Sequence, residues 1–183
     1  MKTKKFQGKR RSPKFVNWAG SVQSAPAQFV QPSTLAEVSD LVRSSSSVRV
    51  VRAGHSFMPV AAGTGTMLNL DHLSGVVSVD AARKRVRFLA GTRLRDVPRL
   101  LRPWGLALAN QGDVDPQSLA GAISTSTHGT GIGCTGFAGT VTGLTVVNAE
   151  GELQTYSIDE DPELLKLVAV SLGAIGVVVE VEM

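Results

Sequence analysis

Arg52-Ala53-Gly54-His55-Ser56-Phe57 is the stretch that decides the fold. It places a glycine-containing turn and a histidine directly after residues 48–51, an apolar segment that is typical of a short strand. Successive backbone N–H groups of such a turn can point at an anion, and the imidazole of His55 offers a nitrogen nucleophile. On this stretch alone a second interpretation stays open, in which His55 is an ordinary hydrogen-bonded residue.

Four further blocks narrow the choice. They are residues 63–70 (GTGTMLNL), 106–113 (LALANQGD), 118–131 (SLAGAISTSTHGTG) and 172–178 (LGAIGVV). In this order and spacing, the turn and the blocks resemble the PCMH-type FAD-binding domain of the vanillyl-alcohol-oxidase-type flavoproteins, in the branch of aldonolactone and alditol oxidases. The resemblance runs from about Asn17-Trp18 to the last residue, and an ordered set of blocks is far more specific than a single motif.

The resemblance implies a set of FAD-binding residues. The pyrophosphate would lie along Val50, Val51, Arg52, Ala53, Gly54, His55 and Ser56, with His55 bonded covalently to the flavin 8α-methyl group. A second wall would consist of Asp113, Ser118, Gly121, Ala122, Ile123 and Ser124, and the adenosine half would lie against Ile175, Gly176 and Val177. The serines could equally be helix caps. His128 would either contact the flavin or orient its own loop by a hydrogen bond.

The resemblance also implies a reaction, the oxidation of a CH–OH group in a sugar-derived lactone or a polyol, with dioxygen as the acceptor and hydrogen peroxide as a product. Gly112 matches a position beside the flavin C4a–N5 edge, where the lack of a Cβ would leave a path for dioxygen. The alternative for Gly112 is a turn glycine with a positive φ.

Catalytic side chains are expected in a C-terminal substrate or cap domain that this chain does not contain, so that domain would act in cis or in trans. The rival hypothesis is a stand-alone or truncated flavin-binding module without turnover. An open reading frame that continues past Met183 would favour the enzyme, and a natural stop codon there would favour the module.

Length and composition set broad limits. A chain of 183 residues with 43% hydrophobic residues can bury one sizeable core or two small subdomains that share a cleft. No apolar run approaches the roughly 20 residues of a membrane span, and no signal peptide is expected. Cys134 is the only cysteine, which excludes an intrachain disulfide and favours a reducing, cytoplasmic location.

The positive net charge is concentrated at the N-terminus. Residues 1–14 hold seven basic side chains and no acid, whereas the rest of the chain has 12 basic and 15 acidic residues. We expect residues 1–16 to be a solvated, partly disordered tail and expect no specific nucleic-acid partner. If the tail does bind nucleic acid, the binding should be nonspecific and should disappear when residues 1–14 are deleted.

The secondary-structure signals predict an α+β fold of two small α/β subdomains, about 17–80 and 81–183, with FAD between them. Thr34 and Glu37 form a capping box for a helix over 33–44. Thr92 should cap a second helix that Gly105 ends, and Asp161 should cap a third. Strands are expected at 48–51, which should be buried on both faces, and at 67–70, 76–79, 86–90, 141–148, 152–156 and 177–182.

Two other site types are disfavoured. Residues 131–136 match the pattern G-x-G-x-x-G, but no apolar strand leads into them and no amphipathic helix follows, as a Rossmann dinucleotide site requires. His55, His72 and His128 are too widely separated, and too far from carboxylates at ligand spacing, to indicate a metal site.

Overall fold

Two β-sheets share one hydrophobic core in the computed structural model, which describes residues 14–183. The strands within these residues are β1 Phe15–Val16, β2 Gln23–Ser24, β3 Gln28–Val30, β4 Val48–Val51, β5 Thr66–Asn69, β6 Val76–Asp80, β7 Arg85–Leu89, β8 Gly143–Val147, β9 Leu153–Ser157 and β10 Val177–Glu182. The α-helices are α1 Leu35–Ser44, α2 Val97–Leu101, α3 Leu119–Ser124 and α4 Pro162–Ala169. The predicted α+β class is therefore confirmed.

The first sheet is parallel and has the strand order β3-β5-β4. Helix α1 connects β3 to β4, as a parallel pair requires. The predicted Thr34 cap is present, because the Thr34 side chain accepts a hydrogen bond from the Glu37 N–H, and the Glu37 carboxylate accepts one of 2.6 Å from the Ser33 N–H, one residue before the cap. Val38, fully buried, anchors the helix in the shared core.

The second sheet is antiparallel, with the order β6-β7-β10-β8-β9. One face supplies core side chains such as Phe88, Leu144 and Val179. The other face carries ion pairs, with Arg87 lying 3.5 Å from Glu180 and 3.1 Å from Glu182. This alternation follows the two-residue period of strands that are buried on one face only.

A close contact joins the two sheets. A Cβ added to Gly91 would lie 2.0 Å from the Leu70 carbonyl oxygen, and the Gly91 N–H donates to the Leu73 carbonyl at 2.9 Å. Because only glycine allows this approach, the first sheet packs directly against the turn that follows β7. The cleft between the sheets therefore has well-defined walls.

Two local expectations about these elements differ from the structure. Thr92 caps no helix, because its hydroxyl donates to the Leu89 carbonyl and α2 begins five residues later at Val97. Strand β4 is not buried on both faces: Val51 is its only buried residue, and the strand borders a cavity. Strand β6, at the end of the first expected subdomain, pairs with β7 in the second sheet.

The expected tail is shorter than predicted, because Phe15 and Val16 form β1 and pair with β2. The remaining tail prediction, residues 1–13, lies outside the described residues. No helix within residues 14–183 combines the length and the hydrophobicity that a membrane crossing needs.

Candidate functional site

A cavity of about 480 Å³ lies between the two sheets. Its volume is in the range of small-molecule and cofactor sites. The wall from the first subdomain comprises residues Val42, 45–56, Val60, Ala61 and Leu70, and the wall from the second comprises Ala90, Gly91, Gln117, Ser118, Ala120, Gly121, Ser124, Thr125, 147–149 and 172–178. The cavity is therefore bordered by loops that leave the ends of strands in both sheets.

The turn after β4 forms one end of the cavity. All seven residues predicted to follow the pyrophosphate, from Val50 to Ser56, line it. Gly54 has a φ of +64°, a conformation that glycine adopts without strain, and this reverses the chain directly before His55. The turn and His55 therefore border the same space.

The ring of His55 stacks on the indole of Trp18. Their ring centroids are 5.3 Å apart and the planes are inclined by 25°. The two residues that flank His55 are also held by this segment, because the Trp18 N–H donates to the Gly54 carbonyl at 2.8 Å and the Asn17 side chain donates to the Ser56 carbonyl at 2.9 Å. Asn17 and Trp18 therefore support the turn from outside the cavity.

Arg52 carries a buried charge at the cavity wall. Its side chain is 8% exposed, and its Nε lies 2.9 Å from the Asp71 carboxylate, although without the alignment of a hydrogen bond. Arg93 shares the same carboxylate oxygen at 3.4 Å, so two guanidinium groups face one carboxylate. Burial lowers the pKa of Arg52, the nearby Arg93 lowers it further, and Asp71 opposes the shift.

The excess positive charge is not offset elsewhere on the wall. Among residues 14–183, the cavity wall includes Arg49, Arg52 and His55 but no carboxylate. Nη1 of Arg52 is buried without a hydrogen-bond partner in the described residues. Because unpaired buried polar atoms in native proteins usually face a ligand or water, this arrangement suits an anionic ligand.

Helix α3 forms the second wall. Ser118 caps the helix by accepting from the Gly121 N–H at 3.3 Å, so the helix-cap interpretation holds for this residue. Ser118, Gly121 and Ser124 line the cavity. Ala122 and Ile123 lie on the opposite face of the helix and are buried in the core, so their side chains are not on the cavity wall.

Residues 172–178 close the other end of the cavity, and the predicted Ile175, Gly176 and Val177 are among them. Gly176 has a φ of +134°, and an added Cβ would lie 2.1 Å from the Val147 carbonyl oxygen. The loop therefore packs against the end of β8 at a distance that only glycine permits.

Besides Ala122 and Ile123, three more predicted residues lie outside the cavity wall: Gly112, Asp113 and His128. The His128 Nδ1 lies 2.9 Å from the Gly129 carbonyl, which agrees with the loop-orienting alternative. Gly112 is not among the glycines with a positive φ, so the turn-glycine alternative is wrong. A Cβ at position 112 would lie 3.3 Å from the Thr127 methyl group.

Sequence reasoning missed several wall residues. They include residues 45–47, Ala90, Gly91, Gln117, Thr125, 148–149 and 172–174. Gln117 stands out because its Oε1 is buried without a partner in the described residues, while its Nε2 donates to Thr127 at 3.3 Å. The signal for Gln117 was its position directly before the cap Ser118, whereas residues 45–47 and 148–149 reach the cavity only through the packing of the two sheets.

The donor set and shape of the cavity fit FAD. The wall offers a backbone turn with excess positive charge for a diphosphate, and predominantly apolar surfaces for two ring systems. Within residues 14–183, no group of three or more His, Cys, Asp or Glu side chains is placed to hold a metal. The cavity is thus suited to an elongated, anionic, partly aromatic cofactor.

Comparison with known proteins gives the same cofactor. The family model described as FAD binding domain matches residues 26–157. The chain is 37% identical over 174 residues to the L-gulono-1,4-lactone dehydrogenase of Mycobacterium tuberculosis, which covers 93% of this chain and 40% of the relative.

Two other relatives are named as oxidases. The D-arabinono-1,4-lactone oxidase of Candida glabrata is 34% identical over 98% of this chain and 35% of its own length, and the L-gulonolactone oxidase of Bos taurus is 33% identical over 92% and 39%. The chain therefore spans between 35 and 40% of the length of these three curated relatives.

Proposed function

We propose a function from one premise: the chain belongs to the family of FAD binding domains. It is the FAD-binding part of an oxidoreductase that oxidises a CH–OH group of a sugar-derived lactone or a polyol. The observation that carries this proposal is the cavity between the sheets, which joins the turn at 52–56 to the loop at 172–178. When bound, FAD supplies a two-electron acceptor for a hydride from the substrate carbon.

Different residues of the wall would bind different parts of the cofactor. The turn at 52–56, with its amides and the charge of Arg52, would hold the diphosphate, and the loop at 172–178 would cover the adenosine half. Ser118 and Ser124 would offer hydroxyl groups to the flavin half. The cofactor carries the redox chemistry, and these residues bind and orient it.

His55 would form a covalent bond to the flavin. The support is its place on the cavity wall together with the stack that holds its ring. Purified protein should stay yellow after acid precipitation, and its mass should exceed the sequence mass by that of one FAD less two hydrogen atoms. His55→Ala should bind FAD but release it on precipitation. If His55→Ala also retained the colour, the bond would have to be assigned to another residue.

The substrate class follows the names of the relatives, which specify gulono- and arabinono-lactones. One of these relatives is named a dehydrogenase and two are named oxidases, and we propose dioxygen as the acceptor on the two oxidase names. Gly112 lies outside the cavity wall, so its role as an oxygen gate rests on the resemblance alone. The test is a panel of aldonolactones and alditols with the complete polypeptide, with flavin bleaching under anaerobic conditions and peroxide release in air as the readouts. A protein that loads FAD and is bleached by no member of the panel would refute the assignment.

The second candidate is a flavin-binding module without turnover, and the observation in its favour is that the roles proposed for the cavity wall are to bind and orient the cofactor. This module would bind FAD with the same residues, but no lactone or polyol would bleach it unless a second chain were added. Addition of a separately expressed cap domain would restore bleaching under the enzyme proposal. With one free cysteine, either form suits a reducing, cytoplasmic environment.

A further inference from the structure

The hairpin formed by β1, β2 and the residues between them clamps the turn that carries His55. Asn17 closes the hairpin, since its backbone N–H donates to the Val22 carbonyl at 3.0 Å and its side-chain oxygen accepts from the Val22 N–H at 2.9 Å. Asn17 is 5% exposed, so these bonds and its bond to the Ser56 carbonyl are shielded from water. The hairpin is therefore a fixed support and places Trp18 beside the turn.

The position of Trp18 is explained by its stack on His55 and not by burial of its own side chain. Its indole is 68% exposed, so burial of its own apolar surface does not explain the position. The stack instead covers one face of the His55 imidazole at a centroid distance of 5.3 Å. A stacked pair is more stable than the same rings with free rotation, so the stack favours one orientation of the imidazole of His55, a residue that lines the cavity.

Ring orientation matters for bond formation. A nucleophile that is held in a productive geometry reacts faster than one that must find this geometry by rotation. Gly54 and Ser56 are fixed by Trp18 and Asn17, which leaves the side-chain torsions of His55 as the main remaining freedom of the turn. The stack restricts these torsions.

We infer that Trp18 positions His55 for its bond to the flavin, which rests on the proposed function. The bond forms between a ring nitrogen of His55 and the 8α-methyl carbon. One C–H bond of that methyl group and the N–H bond of the imidazole are broken, and the two protons and the electron pair that result are taken up by dioxygen as hydrogen peroxide. Trp18 takes no part in the bond and acts only through the orientation of His55.

The test compares three variants of the flavin-free chain after addition of FAD in air. They are Trp18→Ala, Trp18→Phe and, as the matched control, Trp104→Ala, since Trp104 is the other tryptophan and is 55% exposed far from the turn in sequence. The readouts are the rate at which flavin becomes resistant to acid precipitation, the affinity for FAD at early times and the melting temperature. The FAD affinity and the melting temperature would change if Trp18 had only a structural role, whereas the rate of bond formation alone could not reveal such a role.

The expected result is a split between these readouts. Trp18→Ala should form the bond about 5- to 10-fold more slowly, because the stack contributes that much to the population of the productive orientation. Its early FAD affinity should stay within about twofold of the unsubstituted chain, since the hydrogen bonds of the backbone at residue 18 and of Asn17 remain. Trp18→Phe should restore most of the rate, and Trp104→Ala should not change it.

Two results would overturn the inference. One is an unchanged rate in Trp18→Ala. The other is a loss of FAD affinity and melting temperature that parallels the loss of rate and is not rescued by phenylalanine, which would make Trp18 a structural residue. If the unsubstituted chain binds FAD but forms no bond, the covalent assignment to His55 fails. This failure can be distinguished from a failure of the Trp18 inference, because it is seen without any substitution.

Discussion

Arg52 is the single residue whose environment is most unusual. Its guanidinium is buried beside Asp71, which it shares with Arg93, and the cavity wall in residues 14–183 supplies no carboxylate to balance the excess charge. A buried charge without a sufficient partner costs free energy, so its presence at this position needs an anion that offsets the cost. The diphosphate of FAD is the anion that the proposed function supplies.

Replacement of Arg52 by glutamine should therefore weaken the binding of FAD and of ADP by about 10- to 100-fold, the range expected for loss of a charge-assisted contact. Riboflavin, which has no diphosphate, should bind with nearly unchanged affinity. Arg99→Gln is the matched control, because Arg99 is exposed and is not on the cavity wall. Equal affinities for ADP in the Arg52 variant and the unsubstituted chain, measured by calorimetry, would contradict this role of the charge.

Gly112 is the second residue with a specific prediction. Because its φ is not positive and an added methyl group would touch only the Thr127 side chain at 3.3 Å, Gly112→Ala should fold normally. The resemblance implies that Gly112 lies beside the flavin, although it is outside the cavity wall. On that basis, Gly112→Ala in the FAD-loaded, dithionite-reduced protein should slow reoxidation by dioxygen about tenfold or more, as measured by stopped flow. Gly133→Ala, at an open position, is the control. Equal rates in both variants would remove Gly112 from the choice of acceptor.

Among the structural elements, the loop between α4 and β10 makes the tightest approach to the cavity. Gly176→Ala should destabilise the fold through two effects, a φ of +134° that disfavours side chains and a Cβ only 2.1 Å from the Val147 carbonyl. Gly75→Ala shares the first effect, with a φ of +122°, but has open space. We expect a loss of about 1–2 kcal/mol for Gly75→Ala and about 1–3 kcal/mol more for Gly176→Ala.

Urea unfolding midpoints of the two glycine variants measure this difference. The Gly176 variant should also bind ADP more weakly, since the displaced loop is the one assigned to adenosine. If both variants lost the same stability, the close approach at Gly176 would have no energetic consequence, and the loop would be softer than its geometry indicates.

Elements with strong local signals could be predicted from the sequence. The Thr34 cap, the Asp161 cap before Pro162 and the β8–β9 hairpin are each determined by neighbouring residues. Thr92 was assigned wrongly because a buried hydroxyl is satisfied by whichever carbonyl the tertiary fold brings near it, in this case that of Leu89. In such cases tertiary packing overrides the local preference of the residue for a helix cap.

The same distinction applies to the candidate site. The turn at 52–56 follows a predictable strand, so its place on the cavity wall could be anticipated. Gln117 and residues 45–47 reach the wall only because two separate sheets come together, which the local pattern does not encode. The split of α3 into a cavity face and a core face depends on which side the sheet covers, and that explains the position of Ala122 and Ile123.

On the scale of the whole molecule, the cavity lies where the two sheets meet, so a ligand that fills it should stabilise both. FAD at 100 times its dissociation constant should add about 2.7 kcal/mol to the free energy of unfolding of the flavin-free chain, if it binds only the folded state. For a chain of this size the melting temperature should then rise by about 5–10 °C. Calorimetric scans with and without FAD test this, with riboflavin as a control that should give a smaller shift. No shift at saturating FAD would argue against a preformed site.

The central claim is that the cleft between the sheets is an FAD site. It is tested most directly by the visible absorption spectrum of the purified chain, first saturated with FAD and then desalted to remove free flavin. The predicted result is a flavin spectrum that elutes with the protein in a ratio of one FAD per chain and that is lost in a Gly176→Ala, Arg52→Gln double variant. A colourless protein that retains no flavin at saturating FAD, while its circular dichroism shows a folded chain, would contradict the claim.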